Sequence, residues 1–151
     1  MTDKVLKTRE LTIRGKPVAK ARARYVNTKR GVRTYDPQKD KADVIKLQIV
    51  QQMAPFRTEE PLAGAIAVEM TFHTPMPKSF TAAKKRALQG THNFKRPDVD
   101  NYAKMYLDCM NEWIYNDDGQ VAELKASKRY SLNPRTEITI RELGVEIEQV
   151  T

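Results

Sequence analysis

Residues 65–73 read AIAVEMTFH. Ile66, Val68, Met70 and Phe72 take alternate positions, with small or polar residues between them. A period of two puts four large apolar side chains on one face of a strand and leaves the other face half wet. Pro75 and Pro77 end the run, because proline has no N–H to give a ladder. Such a strand must lie against other elements, and the flanking sequence has to supply them.

Upstream, Pro55 and Pro61 bracket a connection. Before it, Ala42, Ile45, Ile49 and Met53 recur at helical spacing. Asp36-Pro37 offers an acid for the N-cap and a proline for the first helical position, so a helix is expected from there to about Met53. A short strand is expected at residues 9–14, with Leu11 and Ile13 on one face, interrupted by Gly15-Lys16-Pro17. VAKARARYV follows at 18–26. Read as extended chain, it gathers Lys20, Arg22 and Arg24 on one face, and Ala19, Ala21, Ala23 and Tyr25 on the other. TKRG at 28–31 reads as a turn carrying two more cations.

Downstream, Thr81 to Gln89 is a short cationic helical stretch stopped by Gly90. A third helix is expected to begin near Asp98 to Asp100. Val99, Ala103, Tyr106, Met110 and Trp113 fall at i, i+4, i+7, i+11 and i+14 along it. Strands are expected at 121–132 and 136–142, with a hairpin-like turn at Asn133-Pro134, and the tail 143–151 extends the last strand. Strands and helices mix without regular alternation. That implies one α+β domain over residues 1–151: a mixed or largely antiparallel sheet packed with about three helices.

The chain has 151 residues and a formal net charge of +8, a surface that attracts polyanions, nucleic acid first among them. No run of about 18 apolar residues suggests a membrane span, and MTDKVLKTRE has no apolar core for a signal peptide, so a cytoplasmic protein is expected. The single cysteine, Cys109, lies among Leu107, Met110 and Trp113 and reads as a buried small hydrophobe. His73 and His92 are isolated, His73 reads as structural, and no glycine-rich phosphate loop is present.

Against this basic background stand two tight acidic pairs. RPDVDNYAK (96–104) places Asp98 and Asp100 at the mouth of the third helix, with Lys104 one turn on from Asp100 and Asp108 another turn further. YNDDGQ (115–120) places Asp117 and Asp118 in a turn. Each has an ordinary reading: an N-cap and a surface ion pair for the first, turn chemistry for the second. Together they supply hard oxygen ligands from two loops beside a lysine, a set that suits Mg2+ held against a phosphodiester. Such an ion would shield the acids from phosphate, activate water and stabilise developing charge.

These motifs, with Leu107-Asp108, Tyr115–Val121 and Lys128, resemble the RusA-like family of Holliday junction resolvases. GKPVAKARARY (15–25), TYDP (34–37) and MPKSFTAAKKRA (76–87) look like it too, so the resemblance covers most of the chain. It implies that Asp98, Asp100 and Asp118 bind Mg2+ and that Lys104 is the catalytic lysine. Asn101, Asp108, Asp117 and Gln120 would be supporting positions. It further implies a homodimer that cuts four-way DNA junctions by paired symmetric nicks in recombination and repair, with a prophage source unsurprising. Relatives often carry Asn-Gly where this chain has Asn111-Glu112, which bears on how Asp118 is placed. Lys20, Arg22, Arg24, Lys95, Arg96 and Lys128 are the expected contacts to DNA phosphates. Two alternatives stay open: a non-catalytic DNA-binding protein of the same fold, and a nuclease for other branched DNA such as forks or flaps.

Overall fold

The computed structural model describes residues 2–21, 24–35 and 37–146. Six strands and three α-helices follow in the order β1 (Thr2–Arg14), β2 (Arg24–Thr28), β3 (Gly31–Tyr35), α1 (Lys39–Met53), β4 (Ala65–Thr74), α2 (Ala82–Leu88), α3 (Val99–Met110), β5 (Val121–Tyr130) and β6 (Arg135–Glu146). The architecture is α+β. The main sheet has the order β1-β6-β4-β5, and β2-β3 forms a separate ribbon. The sheet is mixed: β6 runs antiparallel to both β1 and β4, while β5 runs parallel to β4.

The alternation in β4 is realised along its length. Ile66, Val68, Met70 and Phe72 are buried, and the intervening residues are only partly so. Leu11 and Ile13 of β1 and Ile138 and Ile140 of β6 continue that apolar face. Ile45 and Ile49 of α1 cover it, as do Tyr102, Ala103, Met105, Tyr106, Cys109 and Met110 of α3. Phe72 stacks on Tyr102, with ring centroids 5.2 Å apart, and tilts against Tyr106 at 5.6 Å. These aromatic contacts fix α3 across β4, which decides where its acidic face points. Cys109 is buried, as a small apolar residue would be.

Four expectations are corrected. The extended reading of 18–26 fails over residues 18–21, and β2 is described from Arg24, with residues 22 and 23 outside the described residues. Residues 18–21 are irregular because their backbone finds partners elsewhere: Lys20 N–H donates to Asn101 O at 2.9 Å, Ala21 N–H to Gln38 Oε1 at 2.8 Å, and Gln38 Nε2 to Ala19 O at 2.6 Å. Arg22 lies outside the described residues, and Arg24 is described only as the first backbone position of β2. The first helix starts at Lys39 with Gln38 at its N-cap, and the expected cap Asp36 lies outside the described residues.

Trp113 does not complete the stripe on α3. The helix ends at Met110, Glu112 turns the chain with φ of 73°, and Trp113 is left half-exposed. Finally, Asn133-Pro134 does not close a hairpin. β5 and β6 are not neighbours; the loop carries the chain over the end of β4, where Ser131 N–H donates to Thr74 O at 2.8 Å.

Candidate active site

The polar face of α3 and the turn before β5 form one surface. Asp98 is the N-cap residue of α3 but makes no capping hydrogen bond. Asp100 sits in the first turn of the helix. Both carboxylates are exposed, and neither has an ion pair or hydrogen bond among the described residues. Those are not the habits of a cap acid or a surface pair, the two ordinary explanations for this spacing.

One turn further, Lys104 Nζ lies 2.9 Å from Asp108 Oδ1 and 3.5 Å from Asp118 Oδ2. The lysine therefore joins the two motifs that the sequence keeps 14 residues apart. Lys20 Nζ lies 3.5 Å from the other oxygen of Asp108. Asp108 thus sits between two ammoniums and holds both at the site. The carboxylates of Asp108 and Asp118 push the Lys104 pKa upward, chiefly through the hydrogen bond to Asp108. Sign matters here: a lysine whose folded pKa exceeds its ordinary value stays protonated until the pH passes that higher value. Lys104 is therefore a cation in a neutral buffer.

Asp117 and Asp118 have unequal parts. Asp117 caps the 3₁₀ turn at Asp118–Gln120, its Oδ2 accepting from Gly119 N–H at 2.9 Å. A Cβ on residue 119 would stand 2.6 Å from that same oxygen, so any other residue there would have to push the Asp117 carboxylate aside. Gln120 closes the other half of the capping box. Its Oε1 accepts from Asn116 and Asp117 N–H at 2.9 and 3.1 Å, while its Nε2 donates to Leu62 O at 3.0 Å and Gly64 O at 3.2 Å. The glutamine therefore ties the acidic turn to the start of β4. Buried Tyr115 adds a second tie, donating to Leu107 O of α3 at 2.8 Å. Burial first, then the Asp118 and Asp108 carboxylates, raises its pKa and keeps the hydroxyl a donor.

The expected DNA contacts fall into three groups. Lys20 is at the site itself. Lys95 and Arg96 are exposed on the loop that delivers Asp98, just before a cis Arg96–Pro97 bond. Lys128 lies beneath that loop and donates to Lys95 O at 2.5 Å and to Pro97 O at 2.8 Å. Its charge supports the loop from below. Sequence reading passed over one further feature. Phe94 is 83% exposed with the Lys95 ammonium 5.1 Å from its ring centre. Its signal was an aromatic interleaved with cations, NFKR. Lys29 and Arg30 form the exposed tip of the β2–β3 ribbon.

Could the acids hold a metal ion? Among the described residues, no three such ligands stand close enough to enclose an ion as placed. The donor set nevertheless suits Mg2+, which takes one or two carboxylates and completes its shell with water and phosphate oxygens. Among the described residues, the ammoniums of Lys20 and Lys104 contact the carboxylates of Asp108 and Asp118, and none contacts Asp98 or Asp100.

An acid-lined surface on a basic α+β scaffold suits an enzyme that acts on a phosphodiester, and comparison with known proteins gives the family. Residues 14–141 match the family described as Endodeoxyribonuclease RusA, and the chain belongs to that family. It is also 37% identical over 139 residues to the uncharacterized protein YqaN of Bacillus subtilis (strain 168), covering 89% of this chain and 96% of that protein. The match spans every element from the end of β1 into β6, and so includes both acidic motifs.

Proposed function

We propose that this chain is a Mg2+-dependent, structure-specific DNA endonuclease that acts on four-way junctions as a homodimer, folding over residues 1–151 as one domain. One observation carries the reading. Asp98 and Asp100 stand exposed at the mouth of α3, without a partner among the described residues, beside a lysine held between Asp108 and Asp118. Asp117, by contrast, is engaged in capping its own turn.

Asp98, Asp100 and Asp118 would hold the ion. When bound, it supplies an activated water and neutralises charge on the phosphoryl group. Lys104 presents a fixed positive charge to the oxygens that gain charge in the transition state, and Asp108 keeps it aimed. Lys20, anchored to the same Asp108, stands ready for a phosphate oxygen. Lys95 and Arg96 on the Asp98 loop, with Arg22 and Arg24, would supply further cations for the DNA backbone. Such contacts position a junction without reading sequence and weaken steeply with salt. Phe94 offers a flat apolar face for an unstacked base. Two equivalent strands must be cut in a junction, and a two-fold dimer presents one site to each.

The test is cleavage of an end-labelled immobile four-way junction beside a linear duplex of the same sequence, with Mg2+ and with EDTA. Symmetric nicks on the junction alone, in Mg2+ alone, are expected. Binding without nicks at any Mg2+ concentration would replace this reading with that of a non-catalytic DNA-binding protein. Equal or faster cutting of forks or flaps would leave the nuclease and change its substrate.

A further inference from the structure

The main sheet has two edges, β1 and β5. The β1 edge is closed over its last residues, Thr12 to Arg14, only. Gln48 and Gln52, one turn apart on α1, each donate to and accept from its backbone, at Arg14 and Thr12 respectively, at 2.8–3.3 Å. Nearer its start, the register slips between Val5 and Lys7, and Lys4 and Lys7 flank the bulge. Bulges and lysines of this kind discourage edge pairing.

The β5 edge is closed over its second half only. Gly90 N–H donates to Tyr130 O, Tyr130 N–H to Thr91 O, and Asn93 N–H to Lys128 O, each at 2.9 Å. From Val121 to Ser127, no described residue pairs with the outer side of the strand. Lys128 and Tyr130 turn their backbone groups outward, so by the period of two Ala126 and Leu124 do the same. Leu124 is 47% exposed, a large apolar side chain at an open edge.

The sequence of this open stretch is VAELKAS, with Leu124 at its centre. Laid antiparallel against itself about Leu124, it sets Glu123 opposite Lys125 twice and Leu124 opposite Leu124. Ala122, the extra residue of a bulge against β4, meets Ala126 and marks the limit of the ladder. Opposite charges and apolar pairs facing each other are what stabilise an antiparallel pair, and like charges there are unfavourable.

We propose that a second copy of the chain docks on this edge, β5 against β5, joining two four-stranded sheets into one of eight strands. The proposal deepens the dimer reading above and rests on it for its use in junction cleavage. The self-complementary charge pattern selects a second copy over an unrelated strand, which would have no reason to match it. β5 begins directly after the turn that carries Asp118. The two sites would then lie at opposite ends of the paired segment, about 30 Å apart by the rise of strand and 3₁₀ turn.

Mass in solution, by light scattering or sedimentation of the full chain, tests the proposal with four proteins: the unaltered chain, Glu123→Lys, Lys125→Glu, and the two together. Each single reversal sets like charges opposite each other twice, and the double reversal restores opposite ones. The dimer dissociation constant is expected to rise about tenfold in each single variant and to return in the double. A second measurement is oxidation of Leu124→Cys. The Cα separation across a hydrogen-bonded pair, about 5.5 Å, is within disulfide reach, and native Cys109 is buried. A covalent dimer is expected. If all four proteins are equally dimeric and Leu124→Cys does not cross-link, the interface lies elsewhere: this proposal falls and the dimer reading stands. If the unaltered chain is monomeric both alone and on junction DNA, both fall, and the cleavage assay still judges the nuclease.

Discussion

Replacing Lys104 by methionine separates a catalytic charge from a structural one. Methionine keeps most of the length and the apolar stem and removes only the cation. The structural cost follows from geometry. The Lys104–Asp108 contact is an i, i+4 pair on a side chain that is 56% exposed, and such pairs contribute about 0.3–0.5 kcal/mol. The longer contact to Asp118 adds little in water. For a domain of this length, a loss near 0.5 kcal/mol lowers Tm by about 1–2 °C. The catalytic cost is of another order. Removing one positioned group that stabilises transition-state charge typically costs about 10²–10³ in rate, or roughly 3–4 kcal/mol. Single-turnover cleavage of a labelled junction, with a thermal melt beside it, reads both quantities. Lys104→Arg keeps the charge and should recover part of the rate. Because neighbouring carboxylates raise the Lys104 pKa, its contribution is complete below the ordinary lysine value and is lost only as the pH climbs through the higher folded one. No rate limb from this residue should appear between about pH 7 and 9.5. Lys104→Met within tenfold of the unaltered rate would refute the reasoning. So would an alkaline limb below pH 9.5 that shifts in Lys104→Arg, since the group would then be exchanging protons.

The two acids of the NDDG turn should divide the same way: Asp117→Ala loses a cap and about 1 kcal/mol of stability, while Asp118→Asn abolishes cleavage with its melt nearly unchanged. Equal activity losses without any melting difference would show that Asp117 serves the reaction directly. Glu112 holds a left-handed conformation that a non-glycine residue adopts at a cost of about 1–2 kcal/mol. Glu112→Gly relieves that cost but gives the unfolded chain more freedom, leaving a gain of about 0.5–1 kcal/mol, or a Tm some 2–3 °C higher. An unchanged or lower Tm would mean the side chain stabilises the turn. Burial, then the charge of Arg135, holds the His73 pKa below its ordinary 6.5. The unfolded chain then binds the proton more readily, so stability should fall as the pH drops through 6.5 towards the folded value. Denaturant melts at pH 7.5 and 5.5 should show a smaller difference in His73→Gln, and an identical one would remove His73 from the account.

Local pattern made parts of this architecture legible and left others hidden. The alternation in β4 and the stripes on α1 and α3 were readable because each residue's burial repeats the period of its own backbone. Partner identity has no such signature. Asn133-Pro134 announces a turn, yet nothing in it says that the chain crosses the end of β4 before pairing. The same limit applies to the site. Spacing showed that Asp100, Lys104 and Asp108 share a helix face. It gave no means of ranking Asp117 against Asp118, since both are good turn residues. The difference comes from contacts: Asp117 caps its own turn, while Asp118 meets Lys104 from 14 positions away. Lys128 is similar: a lysine in a strand reads as a free cation until its two carbonyl partners, more than 30 residues away, are known.

These long-range ties also explain why an acidic site is stable in a basic chain. Carboxylates brought together repel, and the ordinary remedy is to pair each with a cation. Among the described residues two ammoniums are supplied, both anchored by Asp108, and none pairs with Asp98 or Asp100. Their placement is instead enforced from outside: Lys128 supports the Asp98 loop through its carbonyls, and Tyr115 and Gln120 fix the Asp118 turn through theirs. Backbone carbonyls accept these bonds without neutralising any carboxylate. The negative charge is thereby kept while its position is fixed, which is the condition for a site that takes a divalent cation and a phosphate together. A chain needing only to bind DNA would gain by exchanging Asp98 and Asp100 for neutral residues, because both repel the phosphates that its other cations attract.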